Sequence, residues 1–150
     1  MKKIAFDLDG TLITQSGLNE DFKIPLLGNI FKIEKLRKGV KDLFEYLKAK
    51  KYQICIYTSS YRSAFYIKFI FMLYLIKLDS IINQYIHEKY VKVNSSKFPP
   101  EFGIDILVDD SEGVLMEGNK FGFKVILVKA EDEDWVNYIK ERIKVLENNL

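Results

Sequence analysis

The spacing of apolar positions along this chain changes repeatedly, and each change marks an element. Ile4-Ala5-Phe6 is an uninterrupted apolar run suited to a strand buried on both faces. Residues 13–38 lose that regularity, and Gly17, Pro25 and Gly28 predict a loop-rich segment. From Gly39, Val40, Leu43, Phe44 and Leu47 follow the i, i+3, i+4, i+7 spacing of an amphipathic helix. That helix closes on Lys48-Ala49-Lys50-Lys51, cations suited to the negative end of its dipole. Gln53 to Tyr57 reads as a second strand ending in Thr58-Ser59-Ser60, which offer N-caps for an aromatic-rich helix over residues 64–78. Ile81, Ile82, Tyr85 and Ile86 fit either a short strand or a helical turn. Pro99-Pro100 marks a loop, and residues 104–108 are another buried strand. A short helical turn closed by Gly122 and a strand over residues 123–128 follow. The last helix is predicted to begin in the acids Glu131 to Asp134, where negative charge suits the dipole.

Strand and helix signals that alternate in this way predict an α/β fold with a parallel sheet covered on both faces. In such sheets ligands bind beyond the carboxyl ends of the strands. Here those ends carry Asp7 and Asp9, Thr58 and Ser59, and Asp109 and Asp110. Three strands thus deliver polar groups to one edge. The chain's 150 residues suit a single domain, with no repeat or linker to divide it. Its 23 Lys and Arg against 21 Asp and Glu leave +2, so nothing marks a dedicated nucleic-acid binder. Cys55, the single cysteine, excludes an internal disulfide and reads as a buried, inert thiol. Asp7 and Asp9 interrupt any leader-like apolar run, and residues 64–78 fall short of the roughly 20 needed to span a bilayer. A cytoplasmic protein without a membrane anchor is expected.

Asp7 and Asp9 stand one residue apart, so they would point the same way if the strand continued. Like charges crowded at a strand end repel unless a cation lies between them. The uses that suit such a pair are Mg2+ binding and nucleophilic chemistry with a neighbouring acid or base. A plain polar turn at Asp9-Gly10 is the alternative.

The run Phe6-Asp7-Leu8-Asp9-Gly10-Thr11-Leu12, Thr58 after the second strand, Lys97 ahead of the Pro-Pro loop, and Leu107-Val108-Asp109-Asp110-Ser111 occur in that order. Together they resemble the haloacid dehalogenase superfamily, in its phosphatase branch. The resemblance implies a Rossmann-like three-layer sandwich with a central parallel sheet. It implies a Mg2+-dependent phosphomonoester hydrolase in which Asp7 forms an aspartyl-phosphate. Asp9 would protonate the leaving oxygen and then activate water; dehalogenases of the superfamily lack this second acid. Asp7, the Asp9 carbonyl and Asp109 would hold Mg2+, with Asp110 direct or through water. Thr58 and Ser59 would hold phosphoryl oxygens, and Lys97 would balance the charge, with Lys89 and Lys92 as competing lysines. Ser111 and Glu112 either assist or cap the next turn, and His87 reads as a surface or loop residue.

Many superfamily members carry a cap domain, but residues 13–38 have room only for a flap or short lid, and residues 64–78 fill the second insertion point. The site is expected to be open to a phosphorylated small molecule or macromolecule end. Phe65, Phe69, Phe71, Met72, Tyr74 and Leu75 surround one helix axis and cannot all face the sheet. A homo-oligomer through residues 62–78 is expected, unless residues 13–38 cover the outer face. Alternatives to hydrolysis are phosphoryl transfer to another acceptor and a catalytically silent interaction module. A phospho-receiver domain fits poorly, because its phosphorylated Asp would follow a middle strand.

Overall fold

Residues 1–15 and 19–148 are described by the computed structural model, so the breaker predicted at Gly17 lies outside the described residues. The strands are β1 (Lys3–Phe6), β2 (Gln53–Tyr57), β3 (Ser80–Ile82), β4 (Ile106–Asp109) and β5 (Lys124–Leu127). All pairings are parallel, in the order β3-β2-β1-β4-β5. The chain builds outward from β1 to β2 and β3, then crosses back to lay β4 on the other side of β1. Beyond the carboxyl ends of β1 and β4 lies the crevice left by that reversal.

Residue alternation sorts the sheet's side chains onto two faces. Ile4, Phe6, Ile54, Ile56, Ile106, Val108 and Ile126 point to one side. There they meet α2 (Val40–Ala49), α3 (Ala64–Met72) and α6 (Trp135–Asn148) through Leu43, Phe44, Ile67, Phe71, Trp135 and Ile139. Ala5, Cys55, Tyr57 and Leu107 point to the other, towards Val114 of α5 (Glu112–Phe121) and Ile86 of α4 (Gln84–Tyr90). The result is a three-layer α/β sandwich. Each fully buried Ile, Leu or Phe contributes about 1.5–3 kcal/mol of transfer free energy, so both layers are held by ordinary apolar burial. Cys55 lies in this core, and burial pushes its thiol up to about 11.

Several element boundaries differ from the sequence reading. Residues 79–93 hold both a strand and a helix, β3 and α4. The aromatic helix ends at Met72, not at residue 78, and Leu75 takes a left-handed backbone at φ 59°. Its cap is Ser63, whose side chain accepts from the Tyr66 N–H, because Thr58 and Ser60 are engaged in the preceding turn. The turn expected after Asp109-Asp110 is α5, a full helix of 10 residues capped by Ser111. The acids 131–134 precede α6 and do not start it. The Lys129 and Asp132 carbonyls in this loop accept from Arg37, which is buried beneath them and lies over the Trp135 ring. Between β1 and α2, the only helix among the described residues is α1 (Pro25–Ile30), so no cap domain covers the sheet edge.

Candidate active site

β1 ends at Phe6, and the chain then turns instead of continuing straight. The Leu12 and Ile13 amides both donate to the Leu8 carbonyl, and Gly10 has φ 84°. This turn separates the two acids that an extended strand would have aligned. Asp7 is buried, whereas Asp9 is exposed and points to Arg62. The like charge that crowds Asp7 is therefore Asp109 on β4, not Asp9.

Lys97 joins these two strands. Its Nζ donates to Asp7 Oδ1 and Asp109 Oδ2, each at 2.5 Å, and all three side chains are nearly inaccessible. Burial raises the Asp7 carboxyl to about 7; Lys97 opposes that shift and Asp109 adds to it. Oxygen atoms of Asp7, Asp109 and Asp110 all lie within 4.8 Å of one another. Asp110 accepts from Thr11 Oγ1 at 3.3 Å, and Asp109 Oδ1 accepts from the Ser111 N–H at 2.9 Å. Gly10 makes the approach of Asp110 possible, since a Cβ there would stand 2.2 Å from Asp110 Oδ2. One lysine among three converging carboxylates leaves negative charge uncompensated. Three hard oxygen donors around a common point suit Mg2+, which prefers oxygen ligands and retains several waters.

The cavity they line is about 200 Å³ and includes Asp9, Ser59, Ser96 and Ser111. It is smaller than a typical pocket for a whole organic ligand. Ser59 borders it; Thr58 is buried behind, its Oγ1 accepting from the Ser60 N–H at 3.1 Å. Lys89 and Lys92 are exposed and absent from the cavity wall. Glu112 begins α5, and Ser111 caps it.

Lys97 sits on a rigid mount that sequence reasoning missed. Glu117 of α5 accepts from the Ser96 amide, the Ser96 hydroxyl and the Lys97 amide. On the other side, Tyr57 Oη accepts from the Phe98 N–H at 2.9 Å and lies 2.6 Å from His87 Nδ1. His87 is thus a buried member of α4 and not a surface residue, and burial lowers its pKa. Arg62 was also missed: its Nη1 donates to Asp9 Oδ2 at 2.7 Å and its Nη2 to Glu34 Oε1 at 2.8 Å. Only the acid-rich turn after β1 could have suggested that a cation would be needed there.

No protein-family model and no curated protein matches the sequence. Solved structures do match the fold. A predicted phosphoglycolate phosphatase from Haemophilus somnus aligns at TM-score 0.53 and 15% identity, covering 85% of this chain and 84% of that one. A predicted HAD-like family hydrolase from Porphyromonas gingivalis aligns at 0.54 and 14%, covering 95% and 98%. A protein assigned as a β-phosphoglucomutase from Thermotoga maritima aligns at 0.55 and 14%, covering 94% and 99%. The chain has the haloacid dehalogenase-like fold.

Proposed function

We propose that this protein is a Mg2+-dependent phosphomonoester hydrolase that works through an aspartyl-phosphate on Asp7. The observation that carries this reading is the meeting of Asp7, Asp109 and Asp110 around one point, with Lys97 bridging the first two. Asp7, Asp109, Asp110 and the Asp9 carbonyl would hold Mg2+, which when bound offsets the charge of the phosphoryl oxygens. In the first step an Asp7 oxygen forms a bond to phosphorus as the bond to the leaving oxygen breaks. Asp9 gives its proton to that oxygen. In the second step Asp9 takes a proton from water, the water oxygen attacks phosphorus, and the bond to Asp7 breaks to release phosphate. Lys97 favours the ionised Asp7 that attacks, opposing the effect of burial, and Ser59 orients the phosphoryl oxygens, its turn held from behind by Thr58.

Asp9 lines the catalytic cavity and also a cleft of about 540 Å³ bounded by Gln15, Asn19, Glu34 and Lys35. The reading assigns the leaving group to that cleft, because the acid must lie between it and the phosphoryl group. The same residues could pass the phosphoryl group to an alcohol acceptor; an added alcohol that captures phosphate in competition with water identifies that variant. Hydrolysis of para-nitrophenyl phosphate should require Mg2+ and disappear with EDTA or with Asp7→Asn. Activity that survives both changes overturns the mechanism. A wild-type protein with no activity on any phosphomonoester would favour the silent interaction module.

A further inference from the structure

Arg62 connects three parts of the chain at the mouth of the site. Its Nη1 donates to Asp9 Oδ2 at 2.7 Å and to Ser60 Oγ at 3.0 Å, while Nη2 donates to Glu34 Oε1 at 2.8 Å. Asp9 belongs to the turn after β1, Ser60 to the turn after β2, and Glu34 to the segment between α1 and α2. The guanidinium rests on a firm base. The Arg62 amide donates to Ser60 Oγ, and the Arg62 carbonyl accepts from Nδ2 of Asn83, a buried residue that caps α4.

We propose that Arg62 is a positioning residue that aims the Asp9 carboxyl at the leaving oxygen, and that Glu34 supports it by fixing the guanidinium. The inference rests on the phosphatase reading. Asp9 is half-exposed, at 52% of its side chain, and has two rotatable side-chain bonds. Proton transfer needs its oxygen within about 2.6–3.2 Å of the leaving atom, so a freely rotating carboxyl would be misplaced most of the time. A planar guanidinium fixed by Ser60 and Glu34 restricts it from one side. Arginine suits this role better than lysine, because its fork can bind two acids at once in fixed directions. Ion pairs this exposed contribute little to folding. Their precise geometry is therefore better explained by the reaction than by stability, and variants at these positions should fold.

The leaving group supplies the test. Para-nitrophenolate departs without needing a proton, whereas phenolate is a poorer leaving group and depends on the acid. The ratio kcat/KM reports only the steps through transfer to Asp7, so the later water step does not blur the comparison. Arg62→Ala should lower kcat/KM for phenyl phosphate by about 10-fold to 100-fold, part of the usual general-acid contribution. With para-nitrophenyl phosphate kcat/KM should change less than about 3-fold. Glu34→Ala should shift the same selectivity by a smaller factor. The double variant should be no worse than Arg62→Ala alone, because the two residues act in series. Equal losses of kcat/KM on both substrates, or losses that multiply in the double variant, overturn the proposal while leaving the phosphatase reading intact. Absence of Mg2+-dependent, Asp7-dependent hydrolysis in the wild type overturns both.

Discussion

Removing the carboxylate of Asp7 should stabilise the resting protein even as it abolishes catalysis. Asp7 and Asp109 share one lysine in a nearly dry pocket, so one negative charge is left over. The folded Asp7 carboxyl titrates near 7 against 3.8 for an ordinary aspartate, chiefly because it is buried. Between those values the native state binds more protons than the unfolded chain, so this group's contribution to stability falls as pH rises through that window. Asp7→Asn ends the repulsion and leaves Lys97 paired with Asp109. Urea unfolding at pH 8 in EDTA should show the variant more stable by about 1–2 kcal/mol. Saturating Mg2+ should narrow that gap by binding preferentially to the folded wild type. His87 gives the opposite slope. Its folded pKa lies below the ordinary 6.5, again chiefly through burial, so its stabilising contribution is complete above 6.5 and lost as pH falls. Thermal melts between pH 7 and pH 5 should fall less steeply for His87→Gln than for the wild type.

At the scale of elements, the turn between β1 and the flap is the most demanding part of the sequence. Gly10 combines a left-handed backbone with contact against Asp110, so Gly10→Ala meets two penalties. The backbone strain costs about 1–2 kcal/mol, and the new methyl group must push the Asp110 carboxylate away. Calorimetric titration should show Mg2+ affinity reduced by about tenfold or more, with the fold retained by circular dichroism. Ser63→Ala, by contrast, should cost about 1 kcal/mol through loss of the α3 cap and leave Mg2+ affinity unchanged. The contrast also explains what could be read in advance. Asp7, Asp109, Asp110 and Lys97 follow or precede short apolar runs, and parallel strands carry such residues to one edge whatever the details of pairing. Ser63 was passed over because Thr58, Ser59 and Ser60 have the same capping chemistry; only their use in another turn leaves the role to Ser63. Arg62, Glu34, Tyr57 and Glu117 have no local signature, since each acts through a partner distant in sequence. His87 looked like a surface residue because a lone histidine does not reveal the tyrosine 30 positions away that buries with it.

At the scale of the molecule, the order β3-β2-β1-β4-β5 sets the crevice at β1 and β4, and the absence of a cap leaves its mouth open among the described residues. What stands over a site of this kind is then decided by surfaces elsewhere on the chain. Among the described residues of 13–38, Phe31 meets Phe69 of α3 edge-on at 6.4 Å, and Phe22 packs against Tyr74 just beyond its end. Phe65, Met72 and Leu75 remain 81%, 43% and 68% exposed around a shallow groove of about 720 Å³. Leaving so much aromatic and aliphatic surface in water is unfavourable at about 25 cal/mol per Å², which is the physical basis for expecting a second copy here. Lys68 and Lys77 border the groove, so a second copy docked there would leave these ammonium groups offset towards solvent. Light scattering at micromolar concentration should give a mass of about two 17.6 kDa chains. Phe65→Ser combined with Leu75→Ser should return it to one chain with the cooperative melt preserved. A wild type that is strictly monomeric under those conditions removes the oligomer from the account and leaves the chemistry of Asp7 untouched, because none of these residues lines its cavity.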